Sequence, residues 1–213
     1  LLGHFGGHRG RAGDRRPAAI IRAGFLLAAV GITFIIPIVP RVDSGWYLVV
    51  PLVITGCGLG LLVSQLNNYT LAPIEEERIS EAAGVNSAAG SFGLSFGLAM
   101  AGGLMLAALS FSFTNLTEAS TVIPPAQQQQ IAAALETDAE VMSNTALAEQ
   151  IVGQPPEVEA AVLEINDEAR NRSLQVALLV PLLASLFGLG NSFRMLRLPD
   201  VKPSANLEGL DLG

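Results

Sequence analysis

Four long stretches of this 213-residue chain contain no Asp, Glu, Lys or Arg, and no other feature restricts its fold as strongly. The uncharged runs are 18 residues between Arg22 and Arg41, 31 between Asp43 and Glu75, 36 between Glu81 and Glu118, and 21 between Arg172 and Arg194. A helix crossing the hydrocarbon core of a bilayer needs about 20 apolar residues, with a range of roughly 17–25. Spans are therefore expected at about 18–39, 46–68, 88–112 and 174–194, making an all-α membrane protein with four transmembrane helices. Composition agrees. Half of the chain is hydrophobic and 15% is charged, against about 25% charged in soluble domains. The same balance excludes a disordered, collagenous or coiled-coil chain. A formal net charge of −7 argues against a nucleic-acid partner, which needs a basic face. Cys57 is the single cysteine, so no internal disulfide forms.

Local chemistry supports these limits. Pro17 suits a first helical turn, where its missing N–H costs nothing. Pro37 and Pro40 end the first span, because proline interrupts the helical hydrogen-bond ladder. Trp46 and Tyr47 open the second span as amphipathic rings do at a membrane interface. Arginine and lysine set the orientation. Nine of the twelve basic residues fall in the N-terminal segment, in residues 69–87 or in the C-terminal tail. With four spans these three segments share one side, which the basic excess makes cytoplasmic. The other side receives residues 113–173, with ten acids and two arginines. The expected organisation is a cytoplasmic loop 1–16, three helices over 17–112 with a loop at 69–87, an acidic outer loop 113–173, a last span 174–194 and a tail 195–213. The first apolar run is longer than a signal-peptide core, lacks an obvious A-x-A site and is followed by further spans. A chain beginning with Leu is expected to be a piece of a longer protein.

Within the outer loop, Pro124-Pro125 precedes a helix-prone run over Gln127–Glu136. Pro155-Pro156 precedes another over Glu157–Arg172, where Val158, Val162, Ile165 and Ala169 recur at helical spacing. A packed cap leading into the fourth span is the expectation. Ser80 is placed to cap a helix starting at Glu81.

Three apparent motifs carry no chemistry. Gly93-Leu94-Ser95-Phe96-Gly97 has the G-x-S-x-G pattern of a serine-hydrolase elbow, which requires a strand-to-helix turn with a histidine and an acid nearby. Here it lies in an uncharged span, and the only histidines, His4 and His8, belong to the first loop. Gly56-Cys57-Gly58-Leu59-Gly60 lacks the strand and the basic residue of a phosphate loop. His4 and His8 have no third ligand, and the glycines around them disfavour a helix. No metal, cofactor or catalytic residue is expected, and the chain is not read as an enzyme.

The small and polar residues of the spans are more telling. Ala89, Gly93, Gly97 and Ala101 recur every four residues, as do Ser91, Ser95, Ala99 and Gly103. Helices in lipid gain little by burying apolar surface against one another, so small residues that admit a neighbouring backbone matter. Gly56 and Gly60 make a similar pair on the second span. Ser64, Gln65, Asn67 and Asn68 cluster at the inner end of the second span, and Asn86, Ser87, Ser91 and Ser95 lie on the third. Polar groups at membrane depth face protein or water. Spans two and three are thus expected to border a cavity or each other, while the aliphatic fourth span faces lipid. No ionisable residue occupies the centre of any span.

The run Gly56-Cys-Gly-Leu-Gly60, followed by Ser64-Gln65-Leu66-Asn67-Asn68, Glu81-Ala82-Ala83-Gly84-Val85-Asn86-Ser87 and the glycine-rich span to Gly103, resembles the C-terminal part of major facilitator superfamily transporters. It is most similar to the fourteen-span drug:proton antiporters. Their long outer loop before the last span and the Leu-Pro pair ending it, here Leu198-Pro199, add to the likeness. The resemblance covers about residues 10–200, with its specific part at 56–103. It implies a partial C-terminal half of the helical bundle, with the first and last spans peripheral and the middle two bordering the substrate cavity. Gly10, Asp14 and Arg15 look like a degenerate copy of the family's Gly-Asp-Arg gating loop, without its later glycine. The implied activity is efflux of small amphipathic drugs in exchange for protons by alternating access in the inner membrane. Its partners are the bilayer and the N-terminal helices of the same transporter, where the proton-coupling acid would lie. The substrate-pathway candidates are Gln65, Asn68, Asn86, Ser91 and Ser95, and the helix-packing candidates are Gly56, Gly60, Gly93, Gly97 and Gly103. The alternative is a four-span scaffold or accessory subunit acting through its outer loop.

Overall fold

The computed structural model describes residues 16–42, 44–71, 73–137 and 144–194. These form helices α1 (Arg16–Ile38), α2 (Val49–Leu71), α3 (Ile79–Ala119), α4 (Pro125–Thr137), α5 (Asn144–Gln150) and α6 (Pro156–Ser192), joined by short 3-10 turns, with no strand among the described residues. Four of them, α1, α2, α3 and α6, are long and apolar enough to cross a membrane. Large apolar side chains along them point outward: Leu26, Phe34, Val53, Phe92, Leu98 and Phe187 are each more than half exposed. Such surface is untenable in water and natural in lipid.

The helix limits follow from local chemistry. Pro37 is inside α1, one residue before its end, and a 3-10 turn over Val39–Arg41 contains Pro40. Pro40 has no N–H to give the Ile36 carbonyl, and the Gln175 side chain supplies it instead, Nε2 to O 2.8 Å. Arg41 donates in the same way to the Pro37 carbonyl, at 2.7 Å. Trp46 and Tyr47 occupy a 3-10 turn, Gly45–Leu48, and α2 begins after it. At α3 the expected cap is corrected. A 3-10 turn over Glu76–Arg78 runs straight into Ile79, so Ser80 is already inside the helix. α3 has 41 residues, about 60 Å at 1.5 Å per residue, twice the roughly 30 Å hydrocarbon thickness. α6 is also continuous, so the amphipathic stretch from Pro156 and the fourth apolar run are one 37-residue helix.

The chain divides into two compact units. The first comprises residues 1–32, 50–95 and 182–213. Here α1 meets α2 through glycine. A Cβ on Gly24 would lie 2.9 Å from the Gly58 carbonyl oxygen, and one on Gly58 would lie 2.6 Å from the Ala28 nitrogen. Farther along, a Cβ on Gly31 would fall 2.8 Å from the Pro51 oxygen and closer still to the Thr55 hydroxyl, which itself donates to the Pro51 carbonyl at 2.8 Å. Phe25 lays its ring against Gly188 of α6, and the Arg22 guanidinium sits 5.7 Å from the centre of the Phe193 ring.

The second unit comprises residues 33–49 and 96–181. Its core joins Leu109 and Phe113 of α3, Ile123, Leu135 of α4, Leu147 of α5, and Val158, Val162, Ile165 and Ala169 of α6. The last four are the residues whose helical spacing is visible in the sequence. Both Pro-Pro pairs start helices: the Pro124 carbonyl accepts Gln127 N–H at 2.8 Å, and the Pro155 carbonyl accepts Val158 and Glu159 N–H at 2.8 and 3.0 Å. Glu157 and Glu159 then lie in the first turn of α6, where the helix dipole favours acid. The turn from α5 to α6 needs Gly153, whose φ of +100° disfavours any side chain. Its N–H donates to the Glu159 carboxylate at 3.2 Å.

Candidate functional site

Two of the polar residues singled out in the sequence, Asn67 and Asn86, meet where α2 ends and α3 begins. Four-residue periodicity puts Gln65 near Leu61 and Tyr69 on the α2 surface, while Asn67 lies about 200° around the helix from Gln65. The Asn86 amide of α3 donates to the Asn67 side-chain oxygen, Nδ2 to Oδ1 2.7 Å, across 19 residues of sequence. This bond ties the two helices together and half-buries Asn86. Gln65 is also half-buried. Thr70 turns its hydroxyl back to the Leu66 and Asn67 carbonyls, at 2.9 and 3.1 Å, and Ser64 donates to the Leu61 carbonyl at 2.9 Å. These bonds satisfy the hydroxyls locally within α2.

Beside the Asn67–Asn86 bond lies an open groove of about 570 Å³, walled by Pro73, Ile74, Val85, Asn86 and Ala89. Arg78 and Glu81, also on its wall, form an ion pair at 3.3 Å with side chains 69% and 68% exposed. An exposed pair of this kind contributes at most about 1 kcal/mol.

The remaining candidates are placed differently. Ser91 and Ser95 are exposed on α3, five and nine residues beyond Asn86 and about 140° and 180° around the helix from it. The side chain of Asn68 lies outside the described residues, as do Asp14 and Arg15. Among the described residues, nothing beyond the local helix backbone and the chain neighbours lies within 4 Å of where a Cβ would stand on Gly56, Gly60, Gly93, Gly97 or Gly103. The close helix contacts instead use Gly24, Gly31, Gly58 and Gly188, none of which the sequence reading selected. Gly58 is two residues from both Gly56 and Gly60, about 200° around the helix, so those two face away when it faces α1. The spacing Gly24-x3-Ala28-x2-Gly31 was the available signal. Gln175 was missed for a different reason: its partner is the carbonyl that Pro40 leaves free, 139 residues away.

These contacts redistribute burial. The most apolar stretch of α1 is 39% buried within the chain, against 17% for α2, 6% for α3 and 11% for α6. Within this chain α1 is thus the most enclosed of the four, because α2 and α6 both close on its small residues.

The arrangement offers amide and hydroxyl hydrogen bonding beside apolar walls, and little covalent chemistry. Ser95 and its flanking glycines lie within an unbroken helix, without a strand-to-helix turn. Gly56–Gly60 is likewise internal to α2. Among the described residues, no three His, Cys, Asp or Glu side chains are grouped to hold a metal. Compared with known proteins, the chain matches no family model, no curated protein and no solved structure.

Proposed function

We propose that the chain is part of a secondary active transporter that moves amphipathic small molecules across a membrane by alternating access, in exchange for protons. The observation that carries this reading is the polar junction of α2 and α3. Asn86 bonds Asn67 at 2.7 Å, and a groove that Asn86 lines opens beside that bond. Uncharged amides beside apolar walls can hold an amphiphile without fixing its identity. The likeness of residues 56–103 to drug:proton antiporters supplies the reaction class. On this reading Gln65, Asn68, Asn86, Ser91 and Ser95 line the substrate pathway. The uncovered small-residue faces of α3 receive N-terminal helices of the same transporter. The proton site lies on those helices, because the described spans of this chain have no acid at their centres. The membrane is the inner or plasma membrane, with both ends of the chain cytoplasmic.

The test is export of fluorescent amphipathic dyes by cells producing the full reading frame that contains this chain. Gln65→Ala and Asn86→Ala are expected to change the relative rates for different dyes while leaving the protein in the membrane. Unchanged rates for every dye would exclude this junction from the pathway. Sequencing the reading frame upstream of Leu1 is the companion test, with about ten further apolar spans expected, one holding an acid.

The second reading, a scaffold or accessory subunit, is favoured by one observation: the cap helices share a hydrophobic core with the outer parts of α3 and α6. It predicts that deleting residues 125–155 removes function, whereas substitutions at Gln65 do not.

A further inference from the structure

The core of the second unit is not closed. Between α4, α5 and the start of α6 lies a cavity of about 400 Å³. It opens to solvent past the exposed Gln127, Gln130, Ala134 and Gln154, and small-molecule sites of about 300–1,000 Å³ likewise combine apolar walls with a few polar groups. This cavity has that composition. Leu135, Leu147, Val158 and Val162 are buried residues of the core and also line it, so its floor is the core itself. Gln127, Gln130, Gln154 and Glu159 are the polar residues of its lining.

Among the described residues, Glu159 is the only charged side chain of that lining. One carboxylate oxygen, Oε1, accepts the Gly153 N–H at 3.2 Å, which holds the group against the turn that begins α6. No lysine or arginine among the described residues lines the cavity. By sequence, segment 113–173 has ten acids against two arginines, and an acidic balance of this kind draws cations and repels anions. The three glutamines add neutral donors and acceptors. An apolar floor and a single anionic group select one ligand chemistry: a monovalent organic cation with an apolar body.

We propose that this cavity is a binding site for an amphiphilic organic cation, its apolar body on Leu135, Leu147, Val158 and Val162 and its cationic group at Glu159. The site belongs to the cap formed around α4 and α5, not to the α2–α3 junction, and it stands whether or not the chain takes part in transport. Labelling of the cap and export of dyes therefore fail or succeed separately.

The test is photolabelling of the full chain in nanodiscs of zwitterionic lipid. The probes are a benzophenone bearing a benzylic trimethylammonium group and its uncharged hydroxymethyl counterpart, with labelled peptides located by mass spectrometry. The cationic probe is expected to label residues 125–163 saturably. Glu159→Gln keeps an acceptor for Gly153 and is expected to weaken the cationic probe at least tenfold while leaving the neutral one unchanged. Ala134→Trp, at an exposed position on the cavity wall, is expected to abolish labelling by both probes without lowering the melting temperature. Gln130→Trp, one turn away and also exposed, is the second blocking variant should the first destabilise the cap. Labelling that does not saturate, that falls only on the membrane-spanning helices, or that is unaffected by Glu159→Gln would overturn the proposal.

Discussion

Gln175 holds a position that few side chains could fill. Glutamine has an amide donor on a long enough stem, and the Ile36 carbonyl it meets at 2.8 Å has lost its helical partner to Pro40. Gln175→Leu leaves that carbonyl unpaired and is expected to cost about 1–2 kcal/mol, the scale of an unsatisfied backbone group. Thermal unfolding of the chain in nanodiscs measures this, with Val176→Leu as a control for added bulk in the same helix. Thr117 presents the opposite case. It is fully buried, and its hydroxyl has no hydrogen-bond partner among the described residues. Thr117→Val preserves shape and removes the unpaired group, so a gain of about 1 kcal/mol is expected. A lower melting temperature in that variant would mean that the hydroxyl is satisfied in solution.

Helix pairing turns on which face a glycine occupies. Gly58 has backbone atoms of α1 within 2.7 Å of where its Cβ would stand, whereas Gly56 and Gly60 have nothing within 4 Å. Alanine at 58 therefore has to push two backbones apart, an overpacking cost of about 1–3 kcal/mol. Alanine at 56 or 60 meets no such resistance and gains up to about 1 kcal/mol of helix propensity. The three variants are expected to shift the melting temperature in opposite directions, Gly58→Ala down and the others level or up. A common direction for all three would show that α1 and α2 do not pair through Gly58. The length of α3 and α6 is a second property at this scale. Neither helix is interrupted where its apolar run meets polar sequence, because no proline or αL glycine falls there. Pro181 is tolerated within α6, as prolines often are in apolar helices.

For the whole molecule, α3 is the telling helix. Its most apolar stretch is 6% buried within the chain, and no other described segment approaches within 4 Å of a Cβ placed on Gly93, Gly97 or Gly103. Gly97→Leu should then leave the melting temperature of this chain within about 0.5 kcal/mol equivalent of the parent, as for surface substitutions. On the proposed transporter reading, the same variant in the full reading frame is expected to abolish dye export while the protein remains in the membrane, since a leucine would hold a neighbouring helix away from α3. Normal export would remove the small-residue face from the mechanism. Loss of stability in the isolated chain would instead place a partner for Gly97 within residues 1–213.

Much of this architecture is legible in the residues because its causes are local. Uncharged runs, Pro-Pro helix starts and the spacing of Val158, Val162, Ile165 and Ala169 act within a few turns of chain, and lipid leaves a spanning backbone little choice but helix. The composition of the polar cluster at the α2–α3 junction could be read in the same way. Its geometry could not: that Asn67, and not its neighbour on another face, reaches Asn86 depends on how two helices are rotated about their axes. Gly58 was hidden for the same reason, since the sequence lists three glycines at equal spacing and only the packing of α1 distinguishes the middle one. Gln175 and the cavity at Glu159 depend on contacts between segments far apart in the chain. The periodicity of single helices marks which residues can be buried, but the hydrogen bonds and voids between helices exist only once several of them are packed together.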